Sequence, residues 1–150
     1  MRIVLQRVSK ASVSIDGEQY SSIGKGLMIL VGVQEGDDAD DVEWLVAKTG
    51  NLRIFDDNSG IMNLSVMDID GEILAVSQFT LSASTKKGNR PSYIRAAKHE
   101  TAIPLYDAYC RRLGKLTGKE VKTGKFGADM KVELINDGPV TIIIDSHLKE

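Results

Sequence analysis

Residues 27–33, Leu-Met-Ile-Leu-Val-Gly-Val, carry no charge and no polar side chain. A strand alternates its side chains between two faces, so this run has no face suited to solvent and belongs in the middle of a sheet covered on both sides. It is far shorter than the roughly 20 apolar residues that span a bilayer. The rest of the chain must therefore supply flanking strands and covering elements. Residues 2–8 and 11–15 read as strands, Asp16-Gly17 as a hairpin turn and residues 18–23 as the returning strand. Gly24-Lys25-Gly26 is a break before the central run. Asp57-Asn58-Ser59-Gly60 and Asp70-Gly71 are turns, the second ahead of a strand over 72–79. Two strands near 131–135 and 140–145 close the chain, joined by Asn136-Asp137-Gly138-Pro139.

The apolar period changes twice. Over 37–50, Val42, Leu45, Val46 and Thr49 share one helical face, with acidic residues gathered at the N-terminal end where the helix dipole favours them. A second helix is expected within 99–117, with Ile103, Tyr106, Cys110 and Leu113 on one face and Gly114 and Gly118 marking its end. Pro104 suits only a first turn, which sets the start near Thr101. Residues 82–98 are polar and punctuated by Gly and Pro, a long loop of the kind that often carries function. No repeat, linker or low-complexity tract interrupts the chain. The expected fold is α+β: one domain over 1–150, a strongly curved, mostly antiparallel sheet or barrel with about two helices packed outside.

The composition, 42% hydrophobic and 27% charged, is that of an ordinary globular protein. A single Cys110 excludes an internal disulfide and fits a reducing compartment. With no signal-peptide pattern and no lipidation motif, the expected location is the cytosol, with no membrane partner. The net charge of −2 hides an asymmetry: residues 81–131 carry 12 Lys and Arg against 4 Asp and Glu. A basic block including Lys86, Lys87, Arg90, Arg95, Lys98, Arg111, Arg112, Lys115, Lys119, Lys122 and Lys125 fits either a polyanion footprint or a solvated helix face with loops.

Several familiar site patterns fail. Gly24-Lys25-Gly26 begins a dinucleotide fingerprint, but Ile29 stands where its last glycine belongs and a strand follows. His99-Glu100 begins a zinc-protease motif, but position 103 is Ile. His99, His147 and Cys110 are the only soft ligands, so no metal site is expected. No nucleophile elbow occurs. His147 reads as a surface residue and His99 as a helix-start residue, so neither is an evident base for a Ser or Thr nucleophile.

Two segments stand out. Ser77-Gln78-Phe79-Thr80-Leu81 ends an apolar strand with hydroxyls and an amide, where a ligand or merely solvent can meet them. Asn136-Asp137-Gly138-Pro139-Val140-Thr141 is rich in turn formers, and on residue type alone a plain hairpin turn accounts for it. Together they match, residue for residue, the paired S-Q-F-T and N-x-G-P-V-T signatures of the D-aminoacyl-tRNA deacylases. Gln6-Arg7-Val8, Asn51-Leu52-Arg53-Ile54-Phe55, Gly60-Ile61-Met62-Asn63, Lys87-Gly88-Asn89-Arg90-Pro91-Ser92 and residues 123–130 also resemble that family, in order and over the whole chain.

The resemblance implies a homodimer with the active site at its interface, acting on tRNA that carries a D-amino acid or glycine, with no cofactor. Ser77, Gln78, Phe79 and Thr80 would form one wall of the pocket. Gly138-Pro139 would be a cis dipeptide entering the partner's pocket, held by Arg7, and blocking an L-side chain while admitting glycine. Phe126 and Met130 resemble pocket residues near the terminal adenosine. Lys86, Lys87 and Arg90 are candidates for tRNA contact. Ester hydrolysis needs a nucleophile, a proton acceptor and donors for the oxyanion. Thr80 is a candidate nucleophile without a nameable base. The other route is a site that orients ester and water while the ribose 2′-OH assists, with backbone N–H groups of Phe79 or Thr80 serving the carbonyl oxygen. A non-catalytic nucleic-acid-binding module and a general small-ester hydrolase remain as rivals.

Overall fold

The computed structural model describes all 150 residues. Its centre is β3 (Gly26–Gly32), hydrogen-bonded in parallel to β6 (Glu72–Ser77) and antiparallel to the first half of β1 (Arg2–Ile15). The apolar run does what its composition requires. Leu27, Ile29 and Val31 face a cluster of 22 buried residues, while Met28 faces a second cluster of 7. In β6, Ile73 and Ala75 join the first cluster and Leu74 and Val76 the second. Both strands are thus buried on both faces through their interiors, where no charged residue stands.

Helices α1 (Ala39–Asn51) and α2 (His99–Thr117) cover the first cluster. Asp38 caps α1 in a reciprocal capping box with Asp41, and Val42, Leu45, Val46 and Thr49 are its buried residues, as the spacing predicts. β2 (Glu18–Ile23), the second half of β1 and the first part of β8 (Lys131–Asp145) close over the second cluster, giving a nearly closed, curved sheet. No helix is long and apolar enough to cross a membrane.

The structure departs from the sequence expectations at several places. The sheet is mixed: three ladders are antiparallel, but β3–β6 and β6–β7 (Lys122–Thr123) are parallel. Each parallel pair is joined by a crossover that carries a helix, α1 for the first and α2 for the second. Residues 2–8 and 11–15 form one strand, bent by pairing irregularities around Val8, so that β1 serves both clusters. Residues 131–145 likewise form one strand instead of a hairpin. Both halves of β8 pair with β1 in the same direction, and the turn formers between Asn136 and Thr141 make a bulge in it. The strand expected over 72–79 stops at Ser77 and passes into a 3₁₀ turn, Phe79–Ser82.

The short hairpin β4 (Phe55–Asp56) and β5 (Met62–Leu64), like β7, is too brief to leave a periodic signal. α2 begins two residues before Thr101, and Pro104 sits inside it beyond the first turn. The helix gives up one backbone bond there but still buries Ala102, Tyr106, Tyr109 and Leu113. Tyr109, not Cys110, is the fully buried residue of that turn, and Ile103 is exposed.

Candidate active site

β3 and β6 run parallel and end together, so their last residues open on the same edge. Gln78 extends the ladder by one bond, its N–H donating to the Val31 carbonyl at 2.7 Å, before the chain turns. The 3₁₀ turn then folds back across Gly32, where an added Cβ would lie 3.0 Å from the Gln78 carbonyl oxygen and from the Leu81 side chain. This explains the one glycine among the apolar residues of the central run. Arg2 holds the turn from outside, donating to the Leu81 carbonyl at 3.0 Å and to Asp145 at 2.9 Å.

The edge opens into a cleft of about 550 Å³. Ser77, Gln78 and Phe79 line it from the strand end, His99, Ala102 and Tyr106 from the first turns of α2, and Phe126 and Met130 from the segment before β8. That segment turns back sharply, and Gly124 has no Cβ because one would fall 2.4 Å from the Met130 sulfur. Phe126 meets His99 edge to face at 5.4 Å and Tyr106 at 6.0 Å between ring centroids. Tyr106 donates its hydroxyl to the Ala75 carbonyl at 2.8 Å, and burial pushes its pKa well above the usual tyrosine value. Burial likewise pushes the Cys110 thiol up to about 12. Neither is an anion at neutral pH.

The cleft therefore gathers Ser77, Gln78, Phe79, Phe126 and Met130 from segments far apart in sequence. Thr80 does not line it but is tied to it, its hydroxyl accepting from the Gln78 amide. No histidine or carboxylate is hydrogen-bonded to Thr80. His99 is exposed, while His147, read from sequence as a plain surface residue, is hydrogen-bonded through Nε2 to the Asp37 carboxylate, which accepts at 2.6 Å. Asp37, Asp41 and His147 have metal-ligand spacing, but the Asp37 carboxylate holds the Met1 α-ammonium at 2.5 Å in a buried ion pair, and none of the three lines the cleft.

Three other groups of sequence candidates lie outside the cleft. The Gly138–Pro139 bond is cis, at the exposed tip of the β8 bulge. Arg7, only 8% exposed, anchors that bulge: its Nε donates to the Asp137 carbonyl and its Nη1 to the Ile54 carbonyl, each at 2.7 Å. Asn136 braces the far side, its Oδ1 accepting from the Val140 N–H at 2.8 Å. Lys86, Lys87 and Arg90 are exposed and free of ion pairs on a loop closed by paired Ser84–Ser92 backbone bonds of 2.8 and 2.9 Å. Sequence reasoning missed His99, Ala102 and Tyr106 as a cleft-lining set. Their spacing of three and four residues was legible, but which helical face met the strand end was not.

The fold and the cleft define a domain of one mixed, curved sheet and two helices in which paired strand ends form the polar wall of a cleft. The family model described as D-Tyr-tRNA(Tyr) deacylase matches residues 4–145. The chain is 63% identical over 150 residues to a D-aminoacyl-tRNA deacylase of Bacteroides thetaiotaomicron and 62% identical to one of Flavobacterium psychrophilum, each covered in full. A solved structure called c-Myc DNA Unwinding Element Binding Protein superposes with a TM-score of 0.91 at 44% identity, over 97% of this chain and 98% of that one. A probable eukaryotic D-amino acid tRNA deacylase superposes at 0.82 over 95% and 97% with 18% identity, a likeness of fold alone. The chain belongs to the D-Tyr-tRNA(Tyr) deacylase family.

Proposed function

We propose that the protein hydrolyses the ester of D-aminoacyl-tRNA, releasing the D-amino acid and tRNA. The observation that carries this reading is the cleft whose polar wall is Ser77-Gln78-Phe79, in a chain nearly two-thirds identical along its whole length to deacylases of that name. Water adds to the ester carbonyl carbon, the bond to the ribose oxygen breaks, and that oxygen takes up a proton. No base is bonded to Thr80, which favours positioning of ester and water with help from the ribose 2′-OH over attack by Thr80. The opening N–H groups of a helical turn lack partners within it. Those of Phe79 and Thr80 are therefore the natural donors to the carbonyl oxygen.

Gly138–Pro139 does not line the cleft of its own chain, so its part in selectivity requires a second copy. An apolar strip supports that arrangement: Ile143 (68% exposed) lies in a groove with Val4 and Leu81, and the turn bearing Leu81 continues to Phe79 (56% exposed) at the cleft. In the resulting homodimer each dipeptide enters the other's cleft and obstructs an L-side chain. Glycine has no side chain to obstruct and is accepted. The basic block of residues 81–131 supplies the attraction for the tRNA phosphates.

The test is deacylation of D-, L- and glycyl-tRNA and of D-aminoacyl-tRNA ending in 2′-deoxyadenosine. Fast release from the D and glycyl substrates alone is expected, with the deoxy substrate slow. Thr80→Ala should keep activity within about tenfold, whereas removing a true nucleophile typically costs about 10⁶-fold. A nucleic-acid-binding module, which the name of the 44%-identical structure brings to mind, would release nothing.

A further inference from the structure

Residues 79–98 carry Lys86, Lys87, Arg90, Arg95 and Lys98 and no Asp or Glu. An exposed apolar patch stands among these cations. Ile94 is 86% exposed, more than any other large hydrophobic residue, and Tyr93 is 40% exposed. Tyr93 meets Phe79 edge to face, with ring centroids 5.0 Å apart. The backbone holds the patch in place. Tyr93 follows the Ser84–Ser92 bonds that close the basic loop, and its carbonyl accepts from the Ala96 N–H at 2.9 Å. The Ala97 N–H then donates to the Val33 carbonyl at 3.0 Å. Phe79, Ala96 and Ala97 line the cleft, so the patch sits on its rim. Tyr93 and Ile94 line neither the cleft nor the groove assigned to the second copy.

An exposed apolar patch marks a contact surface, and its surroundings select the partner. Here five cations without a carboxylate in the same segment favour a polyanion over a protein. Single-stranded nucleic acid is held in this way, its bases stacked on aromatic rings while its phosphates meet the positive charge. A cleft of about 550 Å³ takes one nucleoside with its aminoacyl group, so the strand leading to it must cross the rim. We propose that Tyr93 is a stacking platform for the nucleotide immediately 5′ of the terminal adenosine of the tRNA, with the cations of residues 79–98 meeting the adjoining phosphates. This rests on the deacylase reading and extends it beyond the cleft. Tyr93 binds substrate and touches no reacting atom. Every base has a π-face, so the platform registers that a nucleotide is present and not which one.

The experiment titrates wild type, Tyr93→Ala, Tyr93→Leu and Tyr93→Phe with two amides that resist hydrolysis. One is 3′-(D-tyrosylamino)-3′-deoxyadenosine, and the other is the same nucleoside extended at its 5′ side by a cytidylate. Turnover of D-tyrosyl-tRNA is measured alongside. Wild type should bind the extended analogue roughly tenfold more tightly, the effect of one stacked base. Tyr93→Ala should lose that advantage and raise KM for the tRNA by a similar factor, with Kd for the shorter analogue and kcat held within about twofold. Tyr93→Leu restores apolar bulk without a ring and should behave as Tyr93→Ala, whereas Tyr93→Phe should behave as wild type. A wild type that hydrolyses the tRNA yet binds the extended analogue no better than the shorter one overturns the proposal and leaves the deacylase reading intact. So does a Tyr93→Ala protein that keeps the advantage, or a Tyr93→Leu protein that regains it. Loss of the dimer in Tyr93→Ala by light scattering would also overturn it, by assigning the patch to the second copy. A wild type that neither hydrolyses the ester nor binds either analogue sinks both readings.

Discussion

Arg7 shows how one side chain can set the geometry of a distant loop. Its guanidinium is nearly buried, and it spends two N–H groups on carbonyls 47 and 130 residues away. Only a planar fork with several donors can bridge the Ile54 and Asp137 carbonyls together. Arg7→Ala removes two charge-assisted bonds and should cost about 3 kcal/mol of stability, measurable by urea unfolding. The same change frees the Gly138–Pro139 bulge, so the ratio of D- to L-aminoacyl-tRNA hydrolysis should fall toward one. Arg7→Lys, with a single point donor, should not restore it. A variant that unfolds earlier yet keeps full selectivity would separate Arg7 from the role proposed for the bulge.

Among the elements, the loop between the 3₁₀ turn and α2 and the bulge in β8 depart most from regular structure, and both are braced. The loop's paired Ser84–Ser92 bonds hold Lys86, Lys87 and Arg90 at its tip, where no carboxylate neutralises them. Each phosphate neutralised contributes about 0.7–0.9 to the slope of log affinity against log salt. Replacing all three by Gln should weaken tRNA binding at low salt and reduce that slope by roughly 2. An unchanged slope would move the phosphate contact to another part of the basic block. At Gly138 in the bulge an added Cβ would meet the Val140 amide nitrogen at 2.5 Å, so a side chain there would force the bulge to shift.

At the scale of the whole molecule, the chain's two ends meet. The Met1 α-ammonium bonds Asp37 at 2.5 Å and the Ser146 hydroxyl at 2.8 Å, and Asp37 also bonds His147. Removing one member of a buried ion pair strands the other, at a cost of about 3–5 kcal/mol. Asp37→Asn should therefore lower Tm by roughly 10 °C. A shift under about 2 °C would mean that water reaches the ammonium. The proposed dimer makes a second demand. Ile143→Asp places a charge in the apolar strip beside Leu81, so light scattering should report a monomer, and deacylation should fall with it because the partner's dipeptide is lost. A dimeric, active Ile143→Asp protein would put the second copy elsewhere.

The sequence by itself determined the elements whose signal is local. Alternation or uninterrupted apolarity located β3 and β6, and a period of 3.6 located α1 and α2, because each pattern follows from the geometry of the element alone. Residue identity also marked Ser77–Thr80 and Asn136–Thr141 as segments apart. What tertiary structure decided was which of these meet. β6 lies parallel to β3 because a helical crossover separates them, and that choice brings Ser77 to the same edge as Val31. The turn formers at 136–139 became a bulge instead of a hairpin because β1 is long enough to pair with both halves of β8. Pro104 was carried inside α2 because tertiary packing of Tyr106, Tyr109 and Leu113 outweighs one missing backbone bond. Phe126 and His99 came together across 27 residues only when β7 joined the sheet beside β6, a two-residue pairing too short to leave a period in the sequence.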